Sequence, residues 1–389
     1  MNLRGNWNYP TTIWAGPGRI AELAKACATA GIKRPLIVTD EGLTGAPMIK
    51  SALAALKNSA LFGAVRGNPA QSHVEAGLRA FRAGAHDGVV AFGGGSALDA
   101  GKVVAFMSGQ TRPLWDFEDV GDWWTRADPV GIAPVVAVPT TAGTGSEVGR
   151  AGVILNEETH QKKIIFHPQM MPRVVISDPE LTVGLPPGVT AATGIDAFVH
   201  CFEAYCAPGF HPLADGIALE GMRLIYRYLP RAYADGKDIE ARSYMLAAAS
   251  MGATAFQKGL GGVHAIAHPV GSWFDTHHGL TNAIILPYVM AFNRSAIAGK
   301  AEVIARVLDL PAQGFDGLFS SVLKMREALG IPHSLSEIGV SVDNAAVIGR
   351  EAAIDPSAGG NPISVDAAQL EKIFRAAVGG HLGAVGVPA

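Results

Sequence analysis

Two prolines and two glycines fall within VGLPPGVT, residues 183–190, and they separate two halves whose apolar residues repeat at different periods. Neither a helix nor a strand runs through such a stretch, so it marks a boundary. Before it, β-branched runs closed by turns recur: PLIVTDEG (35–42), DGVVAFGGGS (87–96), APVVAVPTTAGTGS (133–146) and PRVVISDPE (172–180). Helical stretches such as RIAELAKACATAG lie between some of them. That alternation predicts βαβ units and a mainly parallel sheet, whose strands are covered on both faces and need no polar alternation. After the boundary, DGIALEGMRLIYRYL and ARSYMLAAASMGATAF carry helical spacing, and strand-like alternation nearly vanishes. The expectation is α/β plus all-α: a parallel-sheet domain over residues 1–185 and a helical domain over 186–389. A chain of 389 residues exceeds what one core usually organises. No internal repeat is visible. The aromatic and acidic stretch SGQTRPLWDFEDVGDWWTRADPVG (108–131) reads as a surface loop pinned by its tryptophans, with a lid or a subunit contact as the alternative.

Composition narrows the function. A net charge of -3 gives no electrostatic reason to bind nucleic acid or an anionic membrane. The N-terminal MNLRGNWNYP lacks the apolar run of a secretory signal, and no later segment offers about eighteen uninterrupted apolar residues. A cytoplasmic location is expected. Cys27, Cys201 and Cys206 make an odd set without metal-ligand spacing, which fits free thiols in a reducing compartment, and no role is assigned to them.

Two glycine-rich turns follow strands in the first half. Gly93-Gly94-Gly95-Ser96 precedes a helix starting near Ala97; glycines there let backbone amides approach a pyrophosphate, and the helix N-terminus favours its charge. This is not GxGxxG, and alone it reads equally as a tight turn. PTTAGTGSE (139–147) adds three threonines, a serine and free amides as donors for phosphate or ribose oxygens. Ligands of parallel sheets sit outside the carboxyl ends of the strands, so both turns predict one dinucleotide in one crevice. Asp40, at the end of PLIVTD, is placed to accept a ribose diol and to repel a 2'-phosphate, favouring NAD over NADP; capping a helix is its alternative role.

The second half gathers histidines. In TGIDAFVHCFEAY, Asp196 and His200 are four apart and share one helix face among apolar neighbours, where burial without a partner or an ion is costly. His264 and His268 repeat the spacing in a helix that Pro269 interrupts or follows, and His277-His278 come one short loop later. Asp196, His200 and two or three of the later histidines form a one-carboxylate, multi-imidazole set suited to Fe(II) or Zn(II) rather than to Mg(II) or Ca(II).

Together GGGSALDAGK (93–102), VPTTAGTGSE (138–147), DPELTVGLPPGVTAATGIDAFVHCFE (178–203), GLGGVHAIAHPVGSWFDTHHGLTNAIILP (259–287) and GGNP (359–362) resemble the iron-containing, or group III, alcohol dehydrogenase family over essentially the whole chain. The resemblance implies a Rossmann-like nucleotide domain followed by a helical metal-binding domain, a dehydroquinate synthase-like arrangement. It implies Asp196, His200, His264 and His278 as ligands and His268 as an unliganded active-site histidine. His277, where many relatives carry proline, is given no chemistry. Residues that look like the family's cofactor contacts are Asp40, Gly94, Gly95, Ser96, Asp99, Thr140, Thr141, Thr144, Ser146, Lys162 and Thr182. A homodimer acting on a small alcohol or aldehyde is implied as well.

Two departures from the family pattern bear on substrate. Gly149-Arg150 stands where a threonine often follows Val, so no pocket contact is carried over there. Lys258, six residues before His264, stands where relatives carry a small or apolar residue. A cation near the pocket holds a carboxylate, and the segment resembles that of 4-hydroxybutyrate dehydrogenases, so an ω-hydroxy acid and its semialdehyde are expected. A surface lysine on a helix turn is the alternative. Competing activities are a dehydroquinate synthase-type lyase using metal and NAD, an aldehyde reductase preferring NADPH, and a metal or nucleotide binder without turnover.

Overall fold

The computed structural model describes residues 5–7 and 11–385, with side chains from Thr11 onward, so most of MNLRGNWNYP lies outside the described residues. The described residues form two compact units: one runs to residue 141 and resumes over 145–184, and the other takes 142–144 and continues from 185.

The first unit is built on a seven-stranded sheet. Its strands are β1 (Gly5–Trp7), β2 (Thr12–Ala15), β3 (Pro35–Asp40), β4 (Ala60–Val65), β5 (Gly88–Gly93), β6 (Val135–Pro139) and β9 (Val174–Ser177), while β7 (Ala151–Asn156) and β8 (Gln161–Phe166) form a separate antiparallel hairpin. The order is β1-β2-β9-β6-β5-β3-β4, parallel throughout except for the β1–β2 pair. The four runs read from the sequence are β3, β5, β6 and β9, and nearly every residue in them is buried. Sequence reading passed over β2, only four residues long, and β4, whose ALFGAV is half-buried. It also passed over β7, where AGVILN alternates half-buried and buried positions, the period-2 signature of a strand with one covered face.

Four helices accompany these strands: α1 (Leu23–Thr29), α2 (Pro47–Ala55), α3 (Gln71–Ala83) and α4 (Gly95–Met107). α4 is buried along its whole length from Ala97 to Met107, which explains why GSALDAGKVVAFM has no polar face. It lies close to the sheet: a Cβ at Gly101 would stand 2.7 Å from Ala91 Cβ on β5. The 108–131 stretch forms short 3-10 turns pinned by its tryptophans. Trp115 Nε1 donates to Gln71 Oε1 at 2.7 Å, the Arg126 guanidinium lies 4.0 Å from the Trp123 ring centre, and Trp124 meets Phe166 edge-on.

The second unit is helical throughout its described residues: α5 (Pro187–Cys206), α6 (Pro212–Ala234), α7 (Ile239–Ala255), α8 (Gly262–Phe274), α9 (His278–Val307), α10 (Gly314–Ala328), α11 (Ala345–Ile354) and α12 (Ala367–Gly379). α5 is its axis, buried at every position from Thr190 to Cys206 and packed against α6, α7 and α9. Pro269 lies inside α8 rather than after it, and the helix continues to Phe274. The cysteines are free and buried, and burial pushes each thiol up to about 12, with Asp87 adding to the effect on Cys27. Among the described residues no helix is long and apolar enough to cross a membrane.

The contact between α4 and β5 gives a stability prediction. Gly101→Ala overpacks that contact, and denaturant unfolding is expected to show a loss of about 1–3 kcal/mol; an unchanged midpoint would mean that α4 can lift from the sheet at no cost.

Candidate active site

In the first unit, the strand order reverses between β3 and β5: the chain leaves β3 for β4 on one side, then returns to β5 on the other. Ligands of open parallel sheets bind at such a reversal, outside the carboxyl ends of the strands. Three predicted groups meet there. Gly93 ends β5 with φ of 151°, a conformation that glycine tolerates, and α4 starts at Gly95. Thr140 N donates to Gly93 O at 3.0 Å, and a Cβ at Gly94 would lie 3.4 Å from Thr141 Cγ2, so the two glycine turns abut. A Cβ at Gly93 would also stand 3.0 Å from Asp40 Oδ2. Asp40 Oδ1 accepts from Leu43 N at 3.1 Å, so one carboxylate oxygen closes its own turn while the other faces the glycines. Burial raises the Asp40 pKa above its ordinary value.

Other predicted cofactor residues are engaged inside the protein. Ser146 Oγ donates to Asp99 Oδ1 at 2.5 Å, Asp99 Oδ2 accepts from Val153 N at 3.1 Å, and the fully buried Lys102 donates to Ser146 O at 2.9 Å and to Ala151 O. Asp99 and Ser146 thus fasten the second turn and the hairpin to α4. Thr182, wholly buried, donates to Pro179 O at 2.8 Å. Ser96 is half-buried next to the first turn, and Lys162 sits on β8 opposite Leu155. Thr144 belongs to the three-residue piece grouped with the helices, where a Cβ on its neighbour Gly143 would lie 2.8 Å from Thr193 Cβ on α5.

The helical unit assembles the metal-ligand candidates. Asp196 and His200, one turn apart on α5, and His264 on α8 offer ligand atoms all within 4.8 Å of one another, and none of the three residues is more than 3% exposed. His278 opens α9 with Nε2 3.9 Å from Asp196 Oδ1. Burial holds the His200 pKa down to about 4, so the ring is the neutral imidazole a metal requires. Burial also opposes charge on His264, but the Glu203 carboxylate outweighs it and lifts the pKa above the ordinary value. One carboxylate and converging imidazoles fit a divalent ion of borderline softness.

Three further residues were not singled out from sequence. Glu203, three residues past His200 on the same face of α5, places Oε2 2.7 Å from His264 Nδ1, while its Oε1 accepts from Val263 N at 2.7 Å. Asn282, one turn beyond His278 and fully buried, donates from Nδ2 to Asp196 Oδ1 at 2.7 Å and touches His264 Nε2 and His278 Nε2 at 3.2 and 3.1 Å. Asp355 contacts His268 Nδ1 through Oδ2 at 2.8 Å across 87 residues. Helical spacing could have found the first two; nothing local points to the third.

Two predicted positions take other partners. His277 caps α9, its Nδ1 accepting from Leu280 N at 3.3 Å. Lys258, with a side chain only 3% exposed, pairs with Asp215 Oδ1 at 2.5 Å and donates to Tyr205 O at 3.3 Å. It is therefore not a surface lysine, and Asp215 stands against its ammonium.

Because Glu203 both orients His264 and supplies its polarity, Glu203→Gln is expected to weaken metal retention about 10- to 100-fold in competition with a chelator. Unchanged retention would remove Glu203 from the support of the centre.

Comparison with known proteins shows the family to which the chain belongs. Residues 10–179 match the model of the iron-containing alcohol dehydrogenases, and residues 190–378 match that of the C-terminal domain of the Fe-containing alcohol dehydrogenase family. The 4-hydroxybutyrate dehydrogenase of Cupriavidus necator is 37% identical over 94% of this chain and 98% of its own. The 1,3-propanediol dehydrogenase of Klebsiella pneumoniae is 34% identical over 95% of this chain and 97% of its own. A crystal structure of 1,3-propanediol oxidoreductase superposes with a TM-score of 0.89 at 34% identity, covering 97% of this chain and 100% of that one. Sulfoacetaldehyde reductase from Bifidobacterium kashiwanohense, solved in complex with NAD+, gives 0.85 at 27% identity, covering 95% of this chain and 97% of that one. The lyase and non-enzymatic readings fall away, because this chain is an oxidoreductase that belongs to the iron-containing alcohol dehydrogenase family.

Proposed function

We propose that this protein is a metal-dependent, NAD-linked dehydrogenase interconverting a short primary alcohol and its aldehyde, with an ω-hydroxy acid such as 4-hydroxybutyrate as the preferred substrate. The observation that carries the reaction type is the buried convergence of Asp196, His200 and His264, with His278 beside them. These four residues would hold the ion, Fe(II) or Zn(II). Asp40, Gly94, Gly95, Ser96, Thr140, Thr141 and Thr144, with Lys162, would receive the NAD, while Asp99, Ser146 and Thr182 shape the turns around it. A divalent ion and NAD bound there supply a Lewis acid for the substrate oxygen and an acceptor for the carbinol hydride.

The chain's own part is to place the alcohol and to manage its proton. Alcohol and NAD+ give aldehyde, NADH and one proton, and His268 takes that proton from the hydroxyl and passes it to solvent. Asp40, with one oxygen toward the first glycine turn, disfavours a 2'-phosphate and supports NAD over NADP. A homodimer is proposed on family resemblance, and a reducing, cytoplasmic setting on the three free thiols.

The acidic substrate rests on likeness to the Cupriavidus necator enzyme and on Lys258. Its pairing with Asp215 means that a substrate carboxylate would share that ammonium rather than meet it bare. NADH formation by Fe(II)- and Zn(II)-reconstituted protein is expected to show about tenfold or greater preference for 4-hydroxybutyrate over 1-butanol, the worth of one charge-assisted contact. Lys258→Ala should erase that preference. Equal efficiency on the two substrates discards the acidic-substrate reading, and a preference surviving in the variant leaves Lys258 as a brace between α5 and α6. His268→Ala should slow turnover about 10²- to 10⁴-fold.

A further inference from the structure

The two nitrogens of His268 are not equivalent. Nδ1 lies 2.8 Å from Asp355 Oδ2, with side-chain exposures of 14% and 10% for the pair, and the ring stacks on His278 at 5.4 Å and 14°. A carboxylate can only accept, so Nδ1 carries a hydrogen, and in the neutral ring it is then Nε2 that holds the lone pair. The carboxylate is itself fixed. Asp355 Oδ1 accepts from Ser357 N at 2.8 Å, where Asp355 caps the turn Pro356–Gly360, and that turn packs against α8. Burial disfavours charge on Asp355, but the His268 ring and the Ser357 hydrogen bonds more than offset it and hold the pKa below its ordinary value.

We propose that Asp355 is a positioning residue: it locks His268 in the tautomer with hydrogen on Nδ1, and so leaves Nε2 as the atom that accepts the substrate's hydroxyl proton. The inference rests on the role given to His268 above and extends it to a residue 87 positions away.

The hydrogen bonds of Asp355 to His268 and to Ser357 N dictate the informative variant. Asp355→Asn keeps the shape, but Ser357 N–H still requires an oxygen at the Oδ1 position, which places the amide NH2 against His268 Nδ1. The ring must then accept there and carry its hydrogen on Nε2, the wrong tautomer for a base. Replacing the buried aspartate of a Ser-His-Asp triad by asparagine acts in this way. In the metal-loaded enzyme, kcat is expected to fall about 10²- to 10⁴-fold. KM for the alcohol, bound metal and thermal midpoint should hold at their wild-type values. Asp355→Ala, which leaves the ring free to choose, should lose less than the asparagine variant.

Nitrogen-15 NMR of histidine-labelled, Zn(II)-loaded protein reads the tautomer directly: hydrogen on Nδ1 of His268 in the wild type, on Nε2 in Asp355→Asn. An asparagine variant with wild-type kcat overturns the proposal, and so does a parallel loss of kcat, KM and thermal midpoint in both variants. If His268→Ala itself leaves kcat unchanged, the fault lies with the functional reading of His268, which the tautomer measurement tells apart from a failure of Asp355 to set it.

Discussion

One carboxylate organises the helical half. Glu203 projects from α5, the helix that carries Asp196 and His200, and reaches the first turn of α8, where one oxygen accepts from Val263 N and the other holds His264. The first amides of a helix have no partners inside it, so a buried acceptor there is strongly favoured. The same contact sets the ring orientation of a ligand candidate. Asn361 completes the cap by accepting from Gly262 N at 3.1 Å, and it is itself locked to Asn293 by reciprocal amide bonds of 2.8 and 2.9 Å. The GGNP motif therefore serves α8 from a distance of about a hundred residues, which is why its presence in the sequence pattern has no local meaning.

The nucleotide half solves a related problem with a buried cation. Lys102 is enclosed on α4 and donates to the carbonyls of Ser146 and Ala151, with Asp99 3.4 Å away to balance its charge. These groups tie α4, the second glycine turn and the β7–β8 hairpin into one polar knot beneath the turns. A buried network of this kind is costly unless every member is paired, and pairing makes it stiff. The glycine turns can then remain short of side chains without losing their shape.

What the sequence disclosed follows from the range of the interactions. Strands buried on both faces and helices with ligands four apart write their period into neighbouring residues, so β3, β5, β6 and β9 and the Asp196–His200 pair were legible. The half-buried β4 and the short β2 have too few committed residues to show a period. Ser146 was read as a donor and Asp99 entered through the resemblance, and neither reading could show that the Ser146 hydroxyl donates to the Asp99 carboxylate. Lys258 failed to declare Asp215 for the same reason, and Asp355 lies where only the packing of the turn Pro356–Gly360 on α8 could bring it to His268. Glu203 is the instructive miss. Its spacing from His200 continues the face already identified, but its two partners, Val263 N and His264, lie 60 and 61 residues away on α8 and leave no mark on the local sequence.

The enclosed cysteines bear on how such a protein ages. Only a thiolate reacts readily with alkylating agents and peroxides, and three thiols held at about 12 inside packed helices are almost never ionised. Thiolate chemistry at Cys27, Cys201 and Cys206 is thus disfavoured in the folded chain. Reagents that need a thiolate therefore reach these three sulfurs only when the packing around them opens.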